Sequence, residues 1–168
     1  MNYSHLVLVG SVTISTFFCL AFPLIADSQS KDKVAIQNEI QKMDQASNNK
    51  SADGYVVFTH PDFINIDKSG QETTHGKEQR REKMRQLFAR ATQVTGRTTV
   101  THIVLSKQGA VVDKSSIFTL VLTRDGQKMD MKGKGTYRDF WVKDVGVWLQ
   151  KNSRTITETT TVNGQPVH

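Results

Sequence analysis

From Arg97 onward, apolar and polar residues alternate. RTTVTHIVLS, AVVDKSSIFTLVLT, KMDMKGKGTYRDFWV and GVWLQKNSRTI each keep a period of two, the spacing of a strand with one face turned inward. The links KQG, RDGQ and KDVG each bring a glycine where a hairpin needs one. Long strands joined by such short links predict antiparallel pairing. Upstream the period is helical. Val34, Ile36, Ile40 and Met43 predict a helix from about Lys33 to Asn48. SNNKSADG reads as a loop, with Asp53 placed to cap a short helix, GYVVFTH, that stops before Pro61.

DFINID then reads as a short strand, DKSG as its turn with Gly70 at positive φ, and QETTH as the return strand. Gly76 opens a long amphipathic helix with Met84, Leu87, Phe88 and Ala91 as its apolar stripe. Arg80, Arg81, Lys83, Arg85 and Arg90 are expected on the opposite, solvent face. Helices first and a long meander last predict an α+β fold, with the helices on one face of a curved sheet. The polar, Thr-rich tail TETTTVNGQPVH is expected to extend the last strand or to fray.

The chain's 168 residues suit one domain, and 37% hydrophobic with 23% charged residues suit a soluble globule. The start differs. Leu6 to Ile25 holds no Lys, Arg, Asp or Glu, then breaks at PLIADSQS. This predicts a signal peptide over residues 1–26, cleaved after Ala26, and a secreted or periplasmic protein. The alternative is an uncleaved anchor, because these 20 residues could span a bilayer and MNYSH lacks Lys and Arg. The only cysteine, Cys19, lies in this leader, so a mature chain has no disulfide, catalytic thiol or cysteine metal site. The net charge of +6 is scattered and not interleaved with aromatics, which predicts a basic soluble surface and no nucleic-acid partner.

The third long strand separates its faces clearly. Lys132, Lys134 and Arg138 share one, expected in solvent. Met129, Met131, Gly133, Gly135, Tyr137, Asp139 and Trp141 share the other, expected inward. A carboxylate at Asp139 is then either hydrogen-bonded structure or a working acid–base group. Tyr55, Phe63, Tyr137 and Trp141 are expected to line any pocket, with plain packing as the alternative. His75 ends the return strand, where it could face a cavity mouth. His60 precedes Pro61 and is expected at the end of the short helix. His60, Asp62, Asp67 and His75 match no metal-ligand spacing, so no metal is expected.

The order of helix, short helix, hairpin DFINIDKSGQETTHG, long helix and four antiparallel strands resembles the nuclear transport factor 2-like superfamily. Ketosteroid isomerase, scytalone dehydratase and SnoaL-like polyketide cyclases share this cone-shaped α+β fold, with N-terminal helices on a strongly curved, mainly antiparallel sheet. The chain is most similar to a secreted SnoaL-like branch of unknown function, where a motif of the type hpDF…D..G precedes the long helix. GVWLQKNSR is similar to that branch's closing strand. The resemblance covers about Lys33 to Arg154. It suggests a domain over residues 33–155, after a polar lead-in at 27–32 and before a tail at 156–168.

The resemblance implies a pocket between helices and sheet and no cofactor; a homodimer joined through the sheet is expected, and no membrane contact once the leader is cleaved. Laid without a gap on the isomerase, ADGYVVFTHPDFINIDKSG puts the proton-shuttling aspartate on Asp67. Capping of the hairpin turn is the alternative role. The isomerase's tyrosine donor falls on Met43, which cannot donate a hydrogen bond, so steroid isomerisation is not implied. Three functions stay open: an exported protein binding a small, largely apolar molecule; an isomerase, dehydratase or cyclase using Asp67 or Asp139 with His75; or an interaction module with a filled pocket.

Overall fold

The computed structural model describes residues 22–124 and 126–167. The leader expected over residues 1–26, with Cys19, lies outside the described residues as far as residue 21. Among the described residues no helix is long and apolar enough to cross a membrane.

Three helices precede the long strands: α1 (Phe22–Asn48), α2 (Ala52–Tyr55) and α3 (Gly76–Arg90). Helix α1 starts earlier than its apolar spacing suggests. The polar run from Asp27 to Lys33 has no helix breaker, and Asp32 fastens it to the sheet by accepting from Lys143 Nζ at 2.7 Å and Trp148 Nε1 at 3.0 Å. Ser51, rather than Asp53, caps α2: its Oγ accepts from Gly54 N at 3.1 Å. Asp53 instead pairs with Arg81 and Arg85 on α3. Helix α2 is also shorter than expected, because the chain turns extended at Thr59 to pair with a strand. His60 therefore lies in β1 rather than at a helix end.

The strands are β1 (Thr59–Ile66), β2 (Glu72–His75), β3 (Ala91–Ser106), β4 (Gly109–Arg124), β5 (Gln127–Asp144), β6 (Val147–Val162) and β7 (Gln165–Val167). They form one sheet in the order β2-β1-β6-β5-β4-β3, with β7 on β6. All pairings are antiparallel except β1 with β6. The result is an α+β cone, with helices packed on a curved sheet of mostly antiparallel strands. The tail does not fray. It continues β6 to Val162 and returns as β7 through Asn163 and Gly164, both at positive φ as a tight hairpin requires.

Two apolar clusters hold the helices to the sheet. Ile36, Ile40 and Met43 of α1 pack on Ile103, Val112, Trp141 and Trp148. Ala52 and Phe88 pack on Ala91, Val94 and Leu122.

Candidate functional site

Between these clusters the sheet is hollow. The register stacks four inward rows across β5, β4 and β3: Tyr137–Lys114–Val100, Gly135–Ser116–Thr98, Gly133–Phe118–Gly96 and Met131–Leu120–Val94. The middle rows contain three glycines, and two rings lie down over two of them. A Cβ on Gly133 would meet Phe118 Cζ, and one on Gly135 would come within 2.6 Å of the Tyr137 hydroxyl. The missing side chains and flattened rings open a cavity of about 340 Å³, roofed by Ile40, Met43, Met84 and Leu87. That volume suits a small molecule.

The cavity is polar at one end and apolar at the other. Phe118, Leu120, Val94, Met84 and Leu87 form the apolar end, while Lys114, Ser116, Thr98, Tyr137, Tyr55 and Arg80 carry polar atoms. Lys114 Nζ lies 2.5 Å from Asp139 Oδ2, an ion pair without hydrogen-bond alignment. Asp139 is 0% exposed, and its Oδ1 accepts from Ser153 Oγ at 2.7 Å. Asp44 reaches the rim from α1 and accepts from Thr98 N at 2.6 Å and Thr98 Oγ1 at 2.8 Å. Burial lifts the Tyr137 phenol to about 12, with the charges of Glu158, Tyr55 and Asp139 adding to it. Tyr137 therefore stays a protonated donor at any ordinary pH.

Arg80 points into the cavity wall and not into solvent, which corrects its expected place on the basic face. Its Nη1 donates to Thr59 Oγ1 at 2.9 Å and Gln150 Oε1 at 2.6 Å, and its Nη2 donates to Tyr55 Oη at 3.2 Å. The guanidinium also lies 4.1 Å from the Phe63 ring centre and 4.8 Å from that of Tyr55.

The sequence-derived candidates divide. Tyr55 and Tyr137 line the cavity. Phe63 is buried behind it as a platform for Arg80. Asp139 lies beneath it, shielded by Lys114. Trp141 belongs to the cluster under α1 and does not line the space. Asp67 is outside, at the tip of the β1–β2 hairpin. Its Oδ1 accepts from Ser69 N at 2.8 Å, Ser69 Oγ at 2.6 Å and Gln71 N at 2.9 Å, the pattern of a turn cap. His75 is exposed at the start of α3, 3.5 Å from Glu72. Among the described residues no three His, Cys, Asp or Glu side chains gather to hold a metal ion.

Asp44, Arg80 and Lys114 were not among the candidates, yet each carried a positional signal. Arg80 is one turn before Met84 on the apolar stripe. Lys114 alternates in phase with Val112, Ser116 and Phe118. Asp44 follows Met43 and stands one turn after Ile40.

Residues 28–154 match the sequence profile of the SnoaL-like domain family, and the chain belongs to that family. It has the nuclear transport factor 2-like fold, in a family known for ligand binding and for isomerase and dehydratase activities. Its structure is similar to a putative scytalone dehydratase from Novosphingobium aromaticivorans, at 15% identity and a TM-score of 0.68, covering 80% of this chain and 90% of the other. A hexachlorocyclohexane dehydrochlorinase, LinA type 2, is similar at 12% identity and a TM-score of 0.63, covering 83% and 91%. A Mycobacterium tuberculosis protein of unknown function is similar at 20% identity and a TM-score of 0.60, covering 77% and 73%. No curated protein matches in sequence.

Proposed function

We propose that this is an exported SnoaL-like protein that binds a small, largely apolar molecule in the cavity between α1, α3 and the sheet. One observation carries the reading: the glycine-floored hollow, with Phe118, Leu120, Met84 and Leu87 around one end and fixed polar groups at the other. Apolar walls supply affinity, and a few placed donors orient the ligand. The apolar run from Leu6 to Ile25 supports export. A homodimer through the sheet is the expected assembly. The interaction-module reading is disfavoured because the protein's own side chains leave the space open.

The test is native mass spectrometry of the protein against a set of small aromatic and alicyclic compounds, repeated with Leu87→Trp. Binding to the wild type and its loss in a folded Leu87→Trp protein is the expected result. Equal binding by both proteins would remove the cavity from the account.

A second reading is a cofactor-independent isomerase, dehydratase or cyclase. It is supported by the family's activities and by the protonated Tyr137 phenol facing the cavity, a donor suited to a developing enolate oxygen. In this reading Asp139, beneath the cavity, holds Lys114 in place, and a proton leaves the substrate toward Asp44 at the rim. Asp44→Asn, whose amide oxygen can still accept from Thr98, then abolishes turnover in a protein that stays folded, whereas a binding protein keeps its ligand affinity.

A further inference from the structure

Arg80 is a partly buried cation for which the described residues provide no anion. Two of its neighbours on α3 pair with a carboxylate: Arg81 Nε lies 3.0 Å and Arg85 Nη2 3.1 Å from Asp53. Lys114 is neutralised by Asp139. Asp44, the carboxylate at the cavity rim, is occupied by Thr98. Arg80 meets only neutral acceptors and two ring faces, and among the described residues no carboxylate lies within ion-pair distance of it.

Neutral acceptors orient a guanidinium without cancelling its charge, and a charge withdrawn from water without a partner is unfavourable. Arg80 also has donors to spare. A guanidinium has five N–H groups. Two on Nη1 and one on Nη2 are used, so the Nε–H and the second Nη2–H have no acceptor among the described residues. The Tyr137 O–H, at the same polar end, makes no hydrogen bond to any described residue either.

From this we infer that the cavity's ligand is an anion, a monocarboxylate on an apolar body, with its carboxylate on Arg80 and Tyr137 and its body against Phe118, Met84 and Leu87. This inference rests on the binding function proposed above and narrows it to one ligand class. A carboxylate accepts from a guanidinium edge through two oxygens and takes a third bond from a phenol. Tyr55, Phe63, Thr59 and Gln150 fix the guanidinium beforehand, so little order is lost on binding.

The experiment compares two probes of one shape, 4-phenylbutanoate and 4-phenylbutan-1-ol, by calorimetric titration of the purified protein at pH 7. The acid is expected to bind at least tenfold more tightly, and more weakly as salt rises. Arg80→Gln, with its fold checked by circular dichroism, should lose that preference while still binding the alcohol. Arg80→Lys should keep part of it. If the alcohol binds the wild type within twofold of the acid, the anion inference falls and the apolar cavity stands. If neither probe binds, both fall. The first comparison needs no variant, so a poorly folding Arg80→Gln protein leaves the test intact.

Discussion

Lys114 and Asp139 meet at 2.5 Å on adjacent strands, with side chains only 12% and 0% exposed. A pair this shielded is costly to break from one side, because the remaining charge keeps no partner and little water. Lys114→Met should destabilise the fold by about 3–5 kcal/mol in urea unfolding. The double variant Lys114→Met with Asp139→Leu should recover most of that loss. A single variant within about 1 kcal/mol of wild type would show that the pair is open to water.

Gly133 keeps the cavity floor low. An added Cβ would overlap the Phe118 ring, so in Gly133→Ala the ring must swing into the cavity. Overpacking of this kind costs about 1–3 kcal/mol. The expected signature is ligand affinity lost by more than stability, read by titration alongside thermal unfolding. Unchanged affinity would place the ligand elsewhere.

Asp67→Ala should leave ligand binding and any turnover unchanged and slightly lower the melting temperature, because its carboxylate serves the hairpin turn. Loss of binding in a folded Asp67→Ala protein would return this residue to the site.

Stability should fall at both ends of the pH range, by different groups. Asp32 is held below the usual carboxylate value by a hydrogen bond from Lys143, with burial opposing and Trp148 and the Lys143 charge adding. The Ser69 hydroxyl does the same for Asp67, and Arg138 for Asp113. A depressed carboxylate stabilises the fold above its unfolded value, here 3.8, and that contribution disappears as pH drops through the lower folded value. Wild type should therefore lose more stability than an Asp32→Asn, Asp113→Asn variant as pH falls below 4. The Tyr137 phenol is raised, so its contribution is complete below the ordinary value of 10 and is lost as pH climbs toward about 12. Tyr137→Phe should flatten unfolding free energy between pH 10 and 12, and an unchanged slope would place that phenol in solvent.

The sheet was legible because β4 and β5 each have one largely apolar parity and the links contain glycine, whereas β6 is mostly polar and β3 changes its inward parity at a bulge between Val100 and His102. The β5 parity that puts Tyr137, Asp139 and Trp141 together is also what the structure shows. The site was less legible because its charged members sit at positions that composition assigns to solvent. In a run such as KEQRREKMRQ, only the spacing of Arg80 one turn before Met84 marks it for the inner face, and the charges around it mask that signal. Asp67 carried the strongest local pattern, but an aspartate before a hairpin glycine satisfies a turn as readily as a catalytic site. Whether a cavity forms depends on Gly96, Gly133 and Gly135 falling in two adjacent rows, with Phe118 between Gly96 and Gly133, and pairing register decides that.

The most direct test is a crystal structure of the protein grown with 4-phenylbutanoate. The phenyl ring is expected between Phe118, Met84 and Leu87, with the carboxylate toward Arg80 and Tyr137. An empty or side-chain-filled hollow between α3 and the sheet, with the probe absent or bound on the outer face, would contradict it.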